Sequence, residues 1–277
     1  MKAVIRYPGS KWFIADWIIA HFPVGYENMV YLEPFLGSGA VFFNKRPGAV
    51  ETVNDLDGDV VNLFQVLRDR PEELKRVLEL TPYSREEYDL SFQPCEDPLE
   101  KARRYIVKTT QAIGAKLGGK CGWRNHKQMK IGGTACKWGG ITNTIGAAAK
   151  RLRGSTTNLV QIERMDAFRL IERYNNPDCL IYLDPPYVRS SRKSGALYRC
   201  ELTDADHRRL LDLITRSRAK IVLSGYDNKL YNEALQGWWR DTTMSRTTST
   251  SMAVETIWMN YQPPVEQITL FDEESAT

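Results

Sequence analysis

This 277-residue sequence predicts an α/β fold built on a largely parallel, doubly wound sheet, and three stretches predict it. Leu180-Ile181-Tyr182-Leu183 is an unbroken apolar run, the pattern of a strand buried on both faces. It is closed by Asp184-Pro185-Pro186-Tyr187, whose prolines cannot donate to a ladder, so the strand stops at Asp184. Met29 to Leu32 reads as a strand that passes through Glu33-Pro34-Phe35-Leu36-Gly37-Ser38-Gly39 into a helix beginning near Ala40. A strand, a Gly-x-Gly turn and a helix form the nucleotide-binding opening of such a sheet. Ala49 to Val53 is a further strand, and Asp55 beyond it falls 18 residues after Gly37. That is near the ~20-residue spacing at which an acid accepts ribose hydroxyls.

Composition is that of an ordinary folded protein, with 42% hydrophobic and 26% charged residues. The length suffices for one large domain with an insertion, or for two domains. No apolar run approaches the ~20 residues of a membrane span, and the charged N-terminus lacks a signal peptide's apolar core, so no membrane association is expected. Five cysteines without CxxC spacing fit reduced thiols in a cytoplasmic protein. The net charge of +4 conceals its distribution. Lys101 to Arg153 holds 13 Lys and Arg and no Asp or Glu; taking those from 38 basic residues leaves 25 against 34 acidic, a balance of −9. An acidic body with a basic segment has the electrostatic footprint of nucleic-acid binding.

In chain order, Arg6-Tyr7-Pro8-Gly9-Ser10-Lys11 comes first. Ser10 is placed to cap a helix from about Lys11 to His21, with Trp12, Ile14, Trp17, Ile18 and Phe22 as its apolar face. In the glycine turn, Phe42 stands where the dinucleotide fingerprint has its third glycine, and Glu33 puts negative charge where a pyrophosphate would lie. NAD and FAD are disfavoured. A cationic or neutral nucleoside fits better, and S-adenosylmethionine has an ammonium, a sulfonium and no phosphate. Asp55 also has a structural alternative, as N-cap of the helix from about Gly58 to Arg68.

From about Asp69 to Gly154 the character changes. Prolines 71, 82, 94 and 98 break up its first part, and a charged, mostly helical stretch from Pro98 to Lys116 follows. Between Gly118 and Gly133, glycines, basic residues, Asn, Gln and tryptophan interleave without clear periodicity, as in an exposed loop or hairpin. Arg suits guanine edges and Asn or Gln adenine edges. Lys116, Lys120, Arg124, Asn125, Lys127, Gln128, Lys130 and Lys137 are accordingly the candidate DNA contacts. Cys121, His126 and Cys136 lack a fourth ligand at a zinc spacing, so no metal is expected.

The sheet pattern then resumes. Leu159 to Ile162 is a strand followed by Asp166, and the Asp-Pro-Pro-Tyr strand comes next. Val188 to Glu201 reads as a mobile loop over the site. Thr203 opens a helix with Asp206 as in a capping box, Leu210, Leu211 and Ile214 on its apolar face, and His207 as a surface or capping residue. Ile221 to Ser224 is another buried strand, and Trp238 to Thr243 with Val254 to Tyr261 form a closing antiparallel pair. The acidic tail from Pro263 is expected to fray.

With these residues assembled, the chain resembles the Dam-type, D12 class adenine-N6 DNA methyltransferases. Tyr7-Pro8-Gly9-Ser10-Lys11, the Glu33 to Gly39 loop, Asp55, Asp166, Asp184 to Tyr187 and Glu255 to Tyr261 have counterparts in that order. Met252 and Ala253 stand where a basic residue is expected shortly before Glu255. The resemblance implies the class I S-adenosylmethionine-dependent methyltransferase fold, a Rossmann-like seven-stranded mixed sheet. It implies a catalytic domain of residues 1–68 and 155–277, interrupted by a mainly helical target-recognition insertion, 69–154. Tyr7, Lys11, Glu33, Phe35, Gly37, Gly39, Asp55, Asp166 and Asp184 are the implied cofactor-binding residues, and Asp184, Pro185, Pro186 and Tyr187 the catalytic ones. The implied partner is double-stranded DNA, met by a cytoplasmic, bacterial or phage-encoded protein that is monomeric in solution, with a dimer on DNA left open.

The residues suit that chemistry. The Asp184 carboxylate and the Pro185 carbonyl can each accept one N–H of a planar amine, and Tyr187 offers a ring to stack on. Those bonds favour a tetrahedral nitrogen whose localised lone pair attacks a methyl group in line. An adenine inside a duplex must first be flipped out. Cytosine-N4 methylation uses the same amine logic, and RNA or protein-glutamine methyltransferases share related tetrapeptides. A catalytically inactive DNA-binding protein would need the basic insertion but not Glu33, Asp55 and Asp184 together.

Overall fold

In the computed structural model, which describes residues 3–113, 119–125, 138–188, 199–246 and 252–264, seven strands form one sheet. They are β1 (Val30–Glu33), β2 (Val50–Asn54), β3 (Leu159–Glu163), β4 (Cys179–Leu183), β5 (Lys220–Tyr226), β6 (Trp239–Arg246) and β7 (Met252–Met259). Their order is β3-β2-β1-β4-β5-β7-β6. The first five strands run parallel, and β7 is antiparallel to both β5 and β6. The mixed seven-stranded sheet and the closing antiparallel pair are as expected.

Why β4 sits at the centre follows from its side chains. Every residue from Cys179 to Leu183 is buried. Successive side chains point to opposite faces, and both faces carry an apolar core. Leu180 and Tyr182 join one cluster with Tyr31, Val53 and Val222. Cys179, Ile181 and Leu183 join the other with Leu32, Ile221 and Leu223. A strand with two buried faces has no use for polar alternation, which is why it reads as a continuous apolar run.

Helices cover both faces. On the first lie α1 (Ala15–Ala20), α2 (Ala40–Asn44), α3 (Gly58–Asp69), α4 (Pro71–Glu79), α5 (Arg85–Leu90), α6 (Pro98–Gln111) and α7 (Ile145–Arg153). On the second lie α8 (Ala167–Arg173), α9 (Asp204–Thr215) and α10 (Lys229–Ala234). Leu74, Leu78, Ile106, Val107, Ala148 and Leu152 belong to the same apolar cluster as the sheet's first face. The helices of the 69–154 stretch are therefore packed on the body through their own apolar residues.

Several local expectations are corrected. The first helix begins at Ala15, not Lys11, and Ile14 precedes it without a side-chain cap. Ser10 is bound elsewhere: its hydroxyl pairs with that of Ser38 at 2.8 Å, and residues 7–14 form turns instead. Asp57, not Asp55, caps α3, accepting the Asp59 N–H at 3.0 Å. Asp55 is already committed to other donors. The helix predicted to Lys116 ends at Gln111, where Ala112 turns extended and pairs with Trp123. His207 is neither a surface nor a capping residue: it is fully buried, with Nδ1 2.9 Å from the Tyr231 hydroxyl. The reason is helical spacing, since His207 lies three and four residues before Leu210 and Leu211 on the face that packs inward. The Thr203–Asp206 capping box itself is present.

Candidate active site

Parallel strands end on one edge, and β1 is flanked there by β2 and β4, whose connections leave in opposite directions along the sheet. Such a switch point opens a crevice beyond the strands' carboxyl ends. The crevice here encloses about 920 Å³, open solvent at its mouth included. Tyr7, Lys11, Glu33, Phe35, Gly37, Asp55, Asp166 and Asp184 line it, as does Pro186. Gly39, Pro185 and Tyr187 are not part of its lining. Gly39 instead precedes α2 at φ 68°, against the Phe43 ring.

The glycine turn is built by close approach. Gly37 has φ 49°, and a Cβ there would meet the Tyr7 ring at 2.8 Å. Only glycine lets Tyr7 lie against the loop. The Gly37 N–H in turn donates to Asp55 Oδ2 at 2.8 Å, and the Asp57 N–H to Asp55 Oδ1 at 2.9 Å. The Leu56 N–H acts on the same carboxyl, so three backbone N–H groups orient Asp55 at the crevice. Burial pushes the Asp55 carboxyl up to about 6, with the Asp57 and Gly37 N–H groups opposing.

Glu33, at the end of β1, is buried and accepts the Tyr31 hydroxyl at 2.6 Å. Burial, reinforced by the nearby Asp184 charge, lifts its carboxyl to about 8, against the Tyr31 bond and the Lys45 charge. At the end of β4, Asp184 is held by Lys11 Nζ at 2.7 and 2.9 Å and by the Ser224 hydroxyl at 3.2 Å. Burial works against the Lys11 ammonium, yet Asp184 and Glu255 together keep it above its usual range. Burial also raises Asp184, with Lys11 opposing. Tyr187 is 6% exposed, and its hydroxyl donates to Glu255 Oε2 at 2.7 Å. Its ring meets Tyr226 edge-on with centroids 4.5 Å apart, and Lys11 Nζ lies 4.7 Å from its centroid. Asp166 caps α8 through the Arg169 N–H at 3.1 Å while lining the crevice.

Residues that the sequence did not assign to the site complete the arrangement. Glu255 and Ser224 reach Tyr187 and Asp184 from β7 and β5. Ser224 had a signal, a polar side chain at the end of an apolar strand. Arg199 lines the crevice and pairs with Asp59 at 2.6 Å; it sits in a stretch with no periodicity to place it. Of the candidate DNA contacts, Lys120, Arg124 and Asn125 are described, and none of these three is part of the crevice lining. Lys120 pairs with Asp89 at 2.7 Å, and Asn125 is exposed. Arg124 Nε and Nη2 both donate to the Ala112 carbonyl at 3.3 Å, and its own carbonyl accepts the Tyr83 hydroxyl at 2.8 Å. Lys116, Lys127, Gln128, Lys130 and Lys137 lie outside the described residues, as do most of the loop expected over the site and the tail beyond Pro264. Among the described residues no group of three or more His, Cys, Asp or Glu is arranged for a metal ion, and no helix is long and apolar enough to cross a membrane.

The seven-stranded mixed sheet, with its crevice at the β1/β4 switch point, is the architecture expected of the class I methyltransferase fold. The D12 class N6 adenine-specific DNA methyltransferase model matches residues 7–252, and the chain belongs to that family. It is 23% identical over 205 residues to a type II methyltransferase, M1.LlaDCHI, of Lactococcus lactis subsp. cremoris, covering 70% of this chain and 69% of the relative. A DNA adenine methylase of Serratia marcescens is 31% identical over 75 residues, 27% of this chain and 26% of the methylase. Among solved structures, the rRNA methyltransferase aviRa of Streptomyces viridochromogenes matches with a TM-score of 0.39 and 14% identity, over 91% of this chain and 85% of that one.

Proposed function

We propose that this methyltransferase uses S-adenosylmethionine to methylate N6 of an adenine flipped out of duplex DNA at a specific sequence. The observation that carries the reading is the placement of Asp184 at the mouth of an acidic crevice that also holds Glu33 and Asp55.

The crevice suits the donor. Its carboxyl groups match a cationic amino acid and ribose hydroxyls, and would repel a pyrophosphate. Asp55 would hold the ribose hydroxyls, and Glu33 the ammonium end. Tyr7, Phe35 and Asp166 line the same space. When bound, S-adenosylmethionine supplies an electrophilic methyl group on a sulfonium. Asp184 and the Pro185 carbonyl accept the N–H bonds of the target amine, localising its lone pair. Lys11 favours the ionised form of Asp184 against burial and orients it for that purpose. Tyr187, fixed by Glu255, is the aromatic neighbour proposed for the base.

The stretch 69–154 is the proposed target-recognition insertion, supported by its run of basic residues without an acid from Lys101 to Arg153. Phosphate contacts from such cations supply affinity, and base-edge contacts supply the choice of sequence. Expression in a methylation-free host, followed by modification-aware sequencing, tests the whole reading. N6-methyladenine is expected at one recurring sequence, and its loss in Asp184→Ala. A soluble, folded protein that leaves the DNA unmodified, or an Asp184→Ala variant methylating at the wild-type rate, overturns it.

A further inference from the structure

Glu51, within β2, is fully buried although it is not part of the crevice. Lys45 Nζ donates to its Oε1, Arg151 donates to both oxygens at 2.5 and 2.8 Å, and Asn158 Nδ2 adds a bond at 2.9 Å. A buried ion cluster of this kind is seldom required for stability, because apolar residues of similar volume commonly serve as well. Its outward connections are more informative.

Two routes lead from Glu51's partners to Glu33. Lys45 Nζ lies 4.2 Å from the centroid of the Tyr31 ring, whose hydroxyl donates to Glu33 Oε2 at 2.6 Å. Arg151 Nη2 donates to the Phe42 carbonyl at 3.1 Å, with its guanidinium 3.9 Å from the Phe42 ring centroid. The Phe42 backbone N–H in turn donates to Glu33. Neither Lys45 nor Arg151 lines the crevice, yet both act on the groups that hold its most deeply set carboxyl.

We propose that Lys45 and Arg151, gathered by Glu51, are positioning residues that set the orientation and charge of Glu33 in the methyl-donor site. The inference rests on the reading above that Glu33 meets the donor's ammonium. The charged and titratable groups around Glu33 are Tyr31 on its own strand, Tyr182 and Asp184 from β4, Lys11 beyond Asp184, and Lys45. Asp184 disfavours the ionised form, and Lys45 favours it. A cationic ligand needs Glu33 ionised and its own α-amino group, ordinarily at about 8, protonated. Affinity therefore rises towards about pH 8 as the carboxyl, at about 8 in the free protein, loses its proton, and falls beyond it. Removing the Lys45 charge moves that rise to higher pH.

The test is calorimetric titration of the full-length protein with S-adenosylmethionine from pH 6 to 9.5. The variants are Glu33→Gln, Lys45→Met, Lys45→Gln, Lys45→Arg and Arg151→Gln, each with a thermal melt. Lys45→Gln keeps a hydrogen bond to Glu51 and remains informative should Lys45→Met fail to fold. Glu33→Gln is expected to flatten the profile below about pH 8; a wild-type rise there sinks the donor-site reading itself. With that profile flattened, Lys45→Met or Lys45→Gln is expected to shift the rise upward by about one pH unit, a loss of about tenfold in affinity at pH 7. Lys45→Arg should restore it, and Arg151→Gln should shift it in the same direction by less. Folded Lys45→Gln and Arg151→Gln proteins with the wild-type profile overturn the proposal. So does a Lys45→Arg protein that titrates like Lys45→Gln.

Discussion

Replacing Asp55 by asparagine tests the crevice in two ways at once. Asp55 accepts two backbone N–H groups, at 2.8 and 2.9 Å, and burial raises its carboxyl from 3.8 to about 6. A rise of roughly two pH units corresponds to about 3 kcal/mol. A carboxyl raised on folding contributes stability that is present below its ordinary value of 3.8 and is lost as pH climbs through about 6. Asparagine cannot ionise. The stability difference between the two proteins should therefore move in the variant's favour by up to about 3 kcal/mol between pH 4 and 8. Against this, the amide's NH₂ faces one of the two backbone donors, and a buried donor left unmet costs about 1–3 kcal/mol at every pH. Urea denaturation at pH 4.5, 6 and 7.5 reads both effects. The same substitution removes a charged acceptor for the donor's ribose, worth about 1.5–3 kcal/mol, so S-adenosylmethionine should bind roughly ten- to a hundredfold more weakly by calorimetry. Parallel stability curves together with an unchanged donor affinity would refute the reasoning.

Tyr187→Phe keeps the ring and loses the Glu255 bond, so it should retain much of the methylation rate, whereas Tyr187→Ala should lose aromatic stacking worth about 1–3 kcal/mol per base. A 2-aminopurine at the target position reports the difference as reduced flipping fluorescence in the alanine variant; equal signals from both variants count against a stacking role. If about five of the basic segment's cations meet phosphates, log K for duplex DNA should fall with log salt at a slope near −4 to −5. Replacing Lys127 and Lys130 should make that slope shallower without changing the methylated sequence, and a salt-independent affinity excludes the electrostatic role. His207→Phe should lower stability by about 1–3 kcal/mol through the unmet Tyr231 hydroxyl, while leaving donor affinity intact; a melt equal to wild type would show that this buried bond contributes little.

Much of this architecture was legible in one dimension because it depends on local pattern. The run Leu180 to Leu183 is apolar because both faces of β4 are covered, and Pro185 and Pro186 end it wherever the strand lies. The strand, glycine turn and helix around Gly37, and the spacing to Asp55, likewise follow from backbone geometry over fewer than about 20 residues. Charge segregation is additive along the chain, so the basic segment needed no structure to be seen. What failed were choices between local partners: Ser10 was expected to cap a helix and instead meets Ser38, while Asp57 rather than Asp55 caps α3.

Only the tertiary structure decided the pairings that join distant strands. Lys11 meets Asp184 across 173 residues, and Tyr187 meets Glu255 across 68. Sequence patterns record which face a residue takes, but not which residue the sheet order brings opposite. Burial also arises only when the chain closes on itself. The lifting of Glu33 to about 8 and of Asp55 to about 6 comes from excluding water on all sides, which no neighbour in sequence can do. His207 shows the same limit from the other side: its place on the apolar stripe was written in the spacing, and the Tyr231 hydroxyl that makes it tolerable there was not.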